Sequence, residues 1–227
     1  MRRSRYERNG KSISEEENII LGEKRVCIVG LGGLGGFIAE MLARIGVLNL
    51  TLIDCDAFDV TNLNRQLFCT EDSVGKRKAE EAKKRINAVN SGVCVNAIDS
   101  LLTDDNAVGL LKGHDVVMDA LDSINARRTA ADACNVLGTP FIHGAISGWF
   151  GQVAVIMPGS RMLDELYGDS DDDSLNKSLG NLPFAASHIA SLQCAEAVKL
   201  LLGKGEGLTD SFLRVDLLCN EFEVIKN

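Results

Sequence analysis

A chain of 227 residues, 45% hydrophobic and 25% charged, can bury a sizeable core and suits one large α/β domain better than two. Its 24 Lys+Arg stand against 32 Asp+Glu, and the resulting net charge of −8 disfavours a general nucleic-acid binder, which carries a basic footprint. The basic start Met1-Arg2-Arg3-Ser4-Arg5 is followed by no apolar run, so it does not read as a signal peptide, and no apolar stretch is long enough to span a bilayer. The seven cysteines, Cys27, Cys55, Cys69, Cys94, Cys134, Cys194 and Cys219, form no Cys-x-x-Cys pair, so free thiols in a reducing cytoplasm are expected.

Strand and helix patterns alternate along the first two thirds. Residues 25–29 are a short apolar run ending in glycines, a buried strand. A helix follows with Leu34, Phe37, Ile38, Met41, Leu42 and Ile45 on one face, stopped near Gly46. Residues 50–53 form the next strand. Residues 75–89 form a charged helix with Ala79, Ala82, Ile86 and Val89 inward. Further strands are expected at 93–98, 115–118 and 141–142, with helices at 104–111 and 123–137. This alternation predicts a Rossmann-like, mostly parallel sheet covered by helices on both faces. In the last third a strand at 151–157 follows a strand directly, which predicts antiparallel extension of the sheet. A polar connection at 158–181, carrying Asp169, Asp171 and Asp173, then leads to an amphipathic helix at 184–202 and a closing hairpin at 212–215 and 222–225. Such a long connection is usually functional or mobile. The acidic run fails as a calcium loop, because Ser174 and Gly180 replace its glycine and closing glutamate.

The chemistry concentrates at strand ends. Gly30-Leu31-Gly32-Gly33-Leu34-Gly35 satisfies Gly-x-Gly-x-x-Gly between a strand and a helix, where glycines let the backbone approach a phosphate and the helix N-terminus offers free N–H groups. Asp54 ends the next strand, where an acid bonds ribose hydroxyls. These features indicate a nucleotide and leave NAD, FAD or ATP open. In a parallel sheet the strand ends share one edge, so Arg65 and Lys78 would gather there with Asp54, Asp56 and Asp122. A triphosphate needs cations for its outer phosphates and carboxylates for Mg²⁺, and this favours ATP.

Together these segments resemble the ThiF/MoeB/HesA family, relatives of the ubiquitin-activating enzymes. The resemblance runs over nearly the whole chain. It is carried by Arg5-Tyr6-Glu7-Arg8, the glycine loop from Gly30 to Gly36, Asp54-Cys55-Asp56, Asn62-Leu63-Asn64-Arg65-Gln66, Gly75-Lys76-Arg77-Lys78 and Asp119-Ala120-Leu121-Asp122-Ser123. It implies one adenylation domain over 1–227, with an N-terminal helical arm to 24, a nucleotide-binding half at 25–140, and an antiparallel extension at 141–227 whose crossover loop lies at about 158–183. It implies ATP adenylylation of the C-terminal Gly-Gly carboxylate of a ubiquitin-like sulfur carrier, for thiamine or molybdopterin/tungstopterin-type cofactors. Sulfur would come from a donor such as a cysteine desulfurase or rhodanese. By the resemblance, Gly30, Gly32, Gly33, Leu34 and Gly35 hold the nucleotide phosphates and Asp54 the ribose. Asn62, Arg65 and Lys78 contact the phosphates, with Asp56 and Gln66 in the same binding set, and Asp122 is linked to Mg²⁺. Arg8 is implied to reach the neighbouring subunit's site in a homodimer; Asn9 replaces the glutamine usual after it.

Each residue also has a plainer reading. Arg65 and Lys78 can be solvated charges, as Lys76, Arg77, Lys83, Lys84 and Arg85 are expected to be. Asp56 and Asp59 can turn or cap their loop, and Asp122 can be a helix N-cap. The paired zinc cysteines of many relatives are missing, so no zinc is expected. No cysteine lies at 158–183, Cys194 reads as core, and Cys69 is a candidate sulfur-handling thiol. Trp149 and Phe150 are expected to pack within the sheet rather than dock a carrier. The competing functions are an NAD-dependent oxidoreductase, a non-catalytic nucleotide-binding scaffold, and a relative activating a tRNA-linked or peptide carboxylate.

Overall fold

In the computed structural model, which describes residues 5–168 and 178–226, one eight-stranded sheet organises the chain. Its strands are β1 (Arg25–Val29), β2 (Asn49–Ile53), β3 (Cys94–Ile98), β4 (Val116–Asp119), β5 (Phe141–Ser147), β6 (Phe150–Ile156), β7 (Ser211–Asp216) and β8 (Glu221–Lys226), in the order 3-2-1-4-5-6-7-8. The first five are mutually parallel; β6, β7 and β8 add on antiparallel. The β1 and β2 segments are almost continuously apolar because both faces of the parallel half are covered. Val26 and Ile28 face one core layer, and Cys27 and Val29 the other.

The helices are α1 (Glu15–Glu23), α2 (Gly35–Ile45), α3 (Lys78–Val89), α4 (Asp104–Leu111), α5 (Ile124–Leu137), α6 (Met162–Tyr167) and α7 (Pro183–Leu202). Helix α1 starts on a Ser14/Glu17 capping box; α2, α5 and α7 each stop at a glycine in the left-handed region, Gly46, Gly138 and Gly203. Helix α7 lies so close on β5 and β6 that a Cβ on Gly144 would meet Gln193 and one on Gly151 would meet Ile189.

Three elements depart from the expected boundaries. Strand β5 continues to Ser147 because β6 pairs along its whole length. Helix α3 begins at Lys78, not residue 75, since Arg77 is extended and Ala57 bridges it. The polar connection contains α6, held by the buried side chains of Met162 and Leu163. Asp169, Asp171 and Asp173 lie outside the described residues. No helix among the described residues is long and apolar enough to cross a membrane.

Candidate functional site

The strand order reverses between β1 and β4, and a parallel sheet opens a crevice at the carboxyl ends of the strands flanking such a point. Here that crevice is a cavity of about 420 Å³ lined by the β1–α2 glycine loop, the ends of β2 and β4, and the segment after β3. Gly30 turns out of β1 at φ +90, with its N–H bonded to Ile53 O at 2.8 Å. A Cβ there would sit 2.4 Å from Ala120 O. Gly32, Gly33 and Leu34 line the cavity. No side chain caps α2, and the loop residues that lead into it line the crevice at the positive end of its dipole.

Asp54 is fixed at the end of β2. Its Oδ2 accepts from Leu31 N at 2.6 Å and its Oδ1 from Asp56 N at 2.8 Å. Burial pushes its carboxyl above the ordinary range, against the opposing pull of Lys78 and the two backbone donors. Each oxygen keeps a second lone pair for a hydroxyl donor. Lys78 opens α3 and is buried up to its ammonium, which lies 2.8 Å from Asp56 Oδ2. That hydrogen bond holds Asp56 below the usual carboxylate range. The helix start therefore delivers the cation back to the strand edge, and the solvated-charge reading fails for Lys78.

Arg65 follows a 3₁₀ turn at Val60–Asn62 and is steadied by Thr61 O and Asn64 Oδ1, both at 3.0 Å. Gln66 is buried beside Gly32, and its Oε1 has no partner among the described residues. Both Gln66 and Gly32 line the cavity. Asp122 is exposed on the opposite wall, after β4. The N-cap of α5 is Ser123, whose Oγ accepts from Ala126 N at 3.3 Å. Asp122 is thus not the cap, and it lines the cavity.

The cavity therefore collects Gly30, Gly32, Gly33, Leu34, Asp54, Asp56, Arg65, Gln66, Lys78 and Asp122. It does not collect Asn62, Gly35 or Arg8. Asn62 closes a capping box with Asp59, whose backbone N–H it accepts at 3.1 Å. Gly35 acts by close packing, since a Cβ would fall 1.9 Å from Gly30 O. Arg8 sits in a 3₁₀ turn of the N-terminal arm, outside the cavity of its own chain.

Arg77, Lys84 and Arg85 stay at the surface as expected, ion-paired to Asp99, Glu81 and Glu40. Cys69 is buried, with its thiol pushed up by that burial, and is poorly suited to handling sulfur. Trp149 and Phe150 are 41% and 44% exposed, and Trp149 meets Phe184 rather than the sheet interior. Sequence reasoning missed the apolar wall of Leu101 and Leu102 and the buried Arg127. Both follow from strand-end placement, after β3 and β4, but neither belongs to a recognisable motif.

The ThiF family model matches residues 6–227. The SAMP-activating enzyme E1 of Haloferax volcanii is 34% identical over 88% of this chain and 76% of its own length. The molybdopterin-synthase adenylyltransferase of Escherichia coli is 32% identical over 91% of this chain and 84% of its own. The microcin C7 biosynthetic enzyme MccB, solved with N-formylated MccA, superposes with a TM-score of 0.86 over 98% of this chain and 72% of its own, at 21% identity, a likeness of fold. The oxidoreductase reading has no support in these matches. The chain belongs to the ThiF family and is an adenylyltransferase.

Proposed function

We propose that this adenylyltransferase activates the C-terminal carboxylate of a small ubiquitin-like sulfur carrier ending in Gly-Gly, for a thiamine or molybdopterin/tungstopterin-type pathway. The observation that carries the reading is the meeting of Arg65, Lys78 and Asp122 around one glycine-walled cavity at the switch point. The relatives named for molybdopterin synthase and sulfur carriers support it.

The reaction forms a bond between a carrier carboxylate oxygen and the α-phosphorus of ATP, and breaks the bridging bond to the β-phosphate. The carboxylate is ionised near neutral pH, so no strong general base is needed. Charge grows on the departing pyrophosphate. Arg65 and Lys78 share the cavity with the glycine loop and would meet that charge as it develops. Asp54 receives the ribose hydroxyls, and Leu101 and Leu102 offer an apolar surface to the base.

The donors suit Mg²⁺ in its usual mode, with one or two carboxylates and the remaining positions filled by water and substrate phosphates. Asp122 would hold it, with Asp56 nearby, and the ion would neutralise charge on the outer phosphates. Ile146 and Asn181 also line the cavity, and the Asn181 carbonyl accepts from Asn64 Nδ2 at 3.1 Å. The Gly-Gly end is what the family resemblance implies, since residues without side chains thread a narrow channel most readily. The family resemblance assigns Arg8 to the site of a second copy in a homodimer, and its place outside the cavity of its own chain is compatible with that.

The test is mass spectrometry of a Gly-Gly-ended ubiquitin-like carrier incubated with enzyme, ATP and Mg²⁺. A carrier heavier by one AMP is expected, and none when its last glycine is removed. AMP transfer to a short peptide or a tRNA but not to the carrier would reject the substrate assignment.

A further inference from the structure

Behind the Asp122 wall lies a buried polar chain that the motif-based reading does not use. Asp119 and His143 are fully buried and Arg127 is 4% exposed. His143 Nδ1 lies 2.6 Å from Asp119 Oδ2, so that nitrogen carries the proton and donates. Nε2 is then an acceptor. Tyr167 OH, at 3.1 Å, can donate to it, and the same hydroxyl oxygen accepts from Arg127 NH1 at 3.3 Å and Gln152 Nε2 at 3.0 Å. Donors and acceptors can thus run from Arg127 through Tyr167 and His143 to Asp119, with Gln152 Nε2 also 3.1 Å from His143 Nε2.

Both ends of this chain grip one peptide unit. Asp119 Oδ1 accepts from Leu121 N at 3.0 Å, and Arg127 NH2 donates to Leu121 O at 2.7 Å. The next residue is Asp122. Gln193 of α7 adds a hold on Asp119 O at 2.7 Å. Tyr167 ends α6, the helix that leads into the long connection between β6 and α7.

We propose that Tyr167 is a positioning residue for adenylylation: through Arg127 and His143 it fixes the Leu121 peptide and so the direction in which Asp122 meets the nucleotide, making the turn at the cavity depend on the seating of α6. Arg127 reaches the cavity wall while bonded to the tyrosine on the far side, so the two sites share one side chain. A purely structural cluster would also satisfy His143. Arg127 also meets Asp119 directly, Nε to Oδ2 at 3.3 Å, so the tyrosine is a second hold on the guanidinium beside that ion pair, and it is this second hold that the variant below removes. The inference rests on the adenylyltransferase reading for its kinetic consequence, and on geometry alone for its structural one.

The experiment compares wild type with Tyr167→Phe, which removes one hydroxyl and keeps the ring. Hydrogen exchange is followed in peptides covering residues 119–126 and, as reference, 25–29. AMP transfer to a Gly-Gly-ended carrier is measured alongside. The expected result is exchange about fivefold or more faster at 119–126 with 25–29 unchanged, and a kcat lower by about fivefold to twentyfold, with KM for ATP within about twofold. Arg127→Lys should weaken the same step, and the double variant should lose less than the product of the two single losses, since the tyrosine acts partly through the arginine. Exchange in Tyr167→Phe equal to wild type, or accelerated equally in both peptides, overturns the proposal. A wild type that transfers no AMP would instead count against the enzyme reading and leave the exchange comparison to decide this one.

Discussion

Lys78 Nζ stands 2.8 Å from Asp56 Oδ2, with the lysine side chain 8% exposed and the aspartate 63% exposed. The cation is thus held by the fold while its partner stays in water, free to be exchanged for phosphate. Lys78→Met removes the charge and keeps the stem packed. ATP-dependent AMP transfer should fall about a hundredfold to a thousandfold, as when one preorganised donor to a developing charge is lost. The midpoint of thermal unfolding should change little, because the abandoned Asp56 is already solvated. Activity within a few fold of wild type would show that Lys78 holds no phosphate.

The glycine loop separates two roles within six residues. At Gly35 a Cβ would strike Gly30 O, whereas at Gly32 the nearest atom would be Gln66 Nε2 at 3.5 Å, an ordinary contact. Gly35→Ala should therefore lose about 2–4 kcal/mol of stability through overpacking against backbone. Gly32→Ala should stay within about 1 kcal/mol of wild type, yet bind ATP more weakly, because the methyl group intrudes on the cavity. Chemical denaturation and calorimetric ATP titration of the two variants check this pairing; a stable Gly35→Ala protein would contradict the packing.

Burial holds His143 below its ordinary pKa, in spite of the opposing Asp119. The folded state therefore binds fewer protons than the unfolded chain once pH drops below about 6.5, so stability rises with pH there and declines as pH falls. Asp119, Arg127, Tyr167 and Gln152 all face this ring. His143→Gln should be less stable than wild type at pH 8, and the gap should narrow from pH 6.5 to 5. Urea unfolding across that range gives the slopes, and parallel slopes would remove the histidine from the account.

The cysteines offer a probe of the cavity that needs no carrier. Cys94 and Cys219 are exposed, while Cys134 and Cys194 are buried, their thiols pushed up to about 12. Cys55 lines the cavity, and burial, then Asp56 and Asp54, raise its thiol as well. Mild alkaline alkylation read by mass spectrometry should mark Cys94 and Cys219 first and Cys55 more slowly. ATP should slow Cys55 further and leave the other two unchanged. Equal labelling of Cys55 with and without ATP would place the nucleotide elsewhere.

Much of this was legible from local pattern. The apolar runs of β1 and β2 are continuous because both faces are covered, and Gly30 and Asp54 follow them at the spacing a nucleotide site requires. What local pattern could not supply was pairing at a distance. Strand β5 reads as two residues because its second half, His143 to Ser147, is chosen by β6 and α7 rather than by its own hydropathy. The same long range hid the Asp119–His143–Tyr167 chain, which joins β4, β5 and α6. Asn62 is the opposite case: its side chain caps Asp59 locally and lies outside the cavity lining, although its motif position implies a phosphate contact.

The central claim is that Asp122 acts on the nucleotide with Arg65 and Lys78. Exchange of labelled pyrophosphate into ATP, with a Gly-Gly-ended carrier present, tests it most directly when wild type, Asp122→Ala and Asp122→Asn are compared at equal ATP binding. The account predicts exchange in wild type and a loss of about a hundredfold or more in both variants, with Asn unable to restore it because the charge is absent. Exchange at the wild-type rate in Asp122→Ala would contradict it.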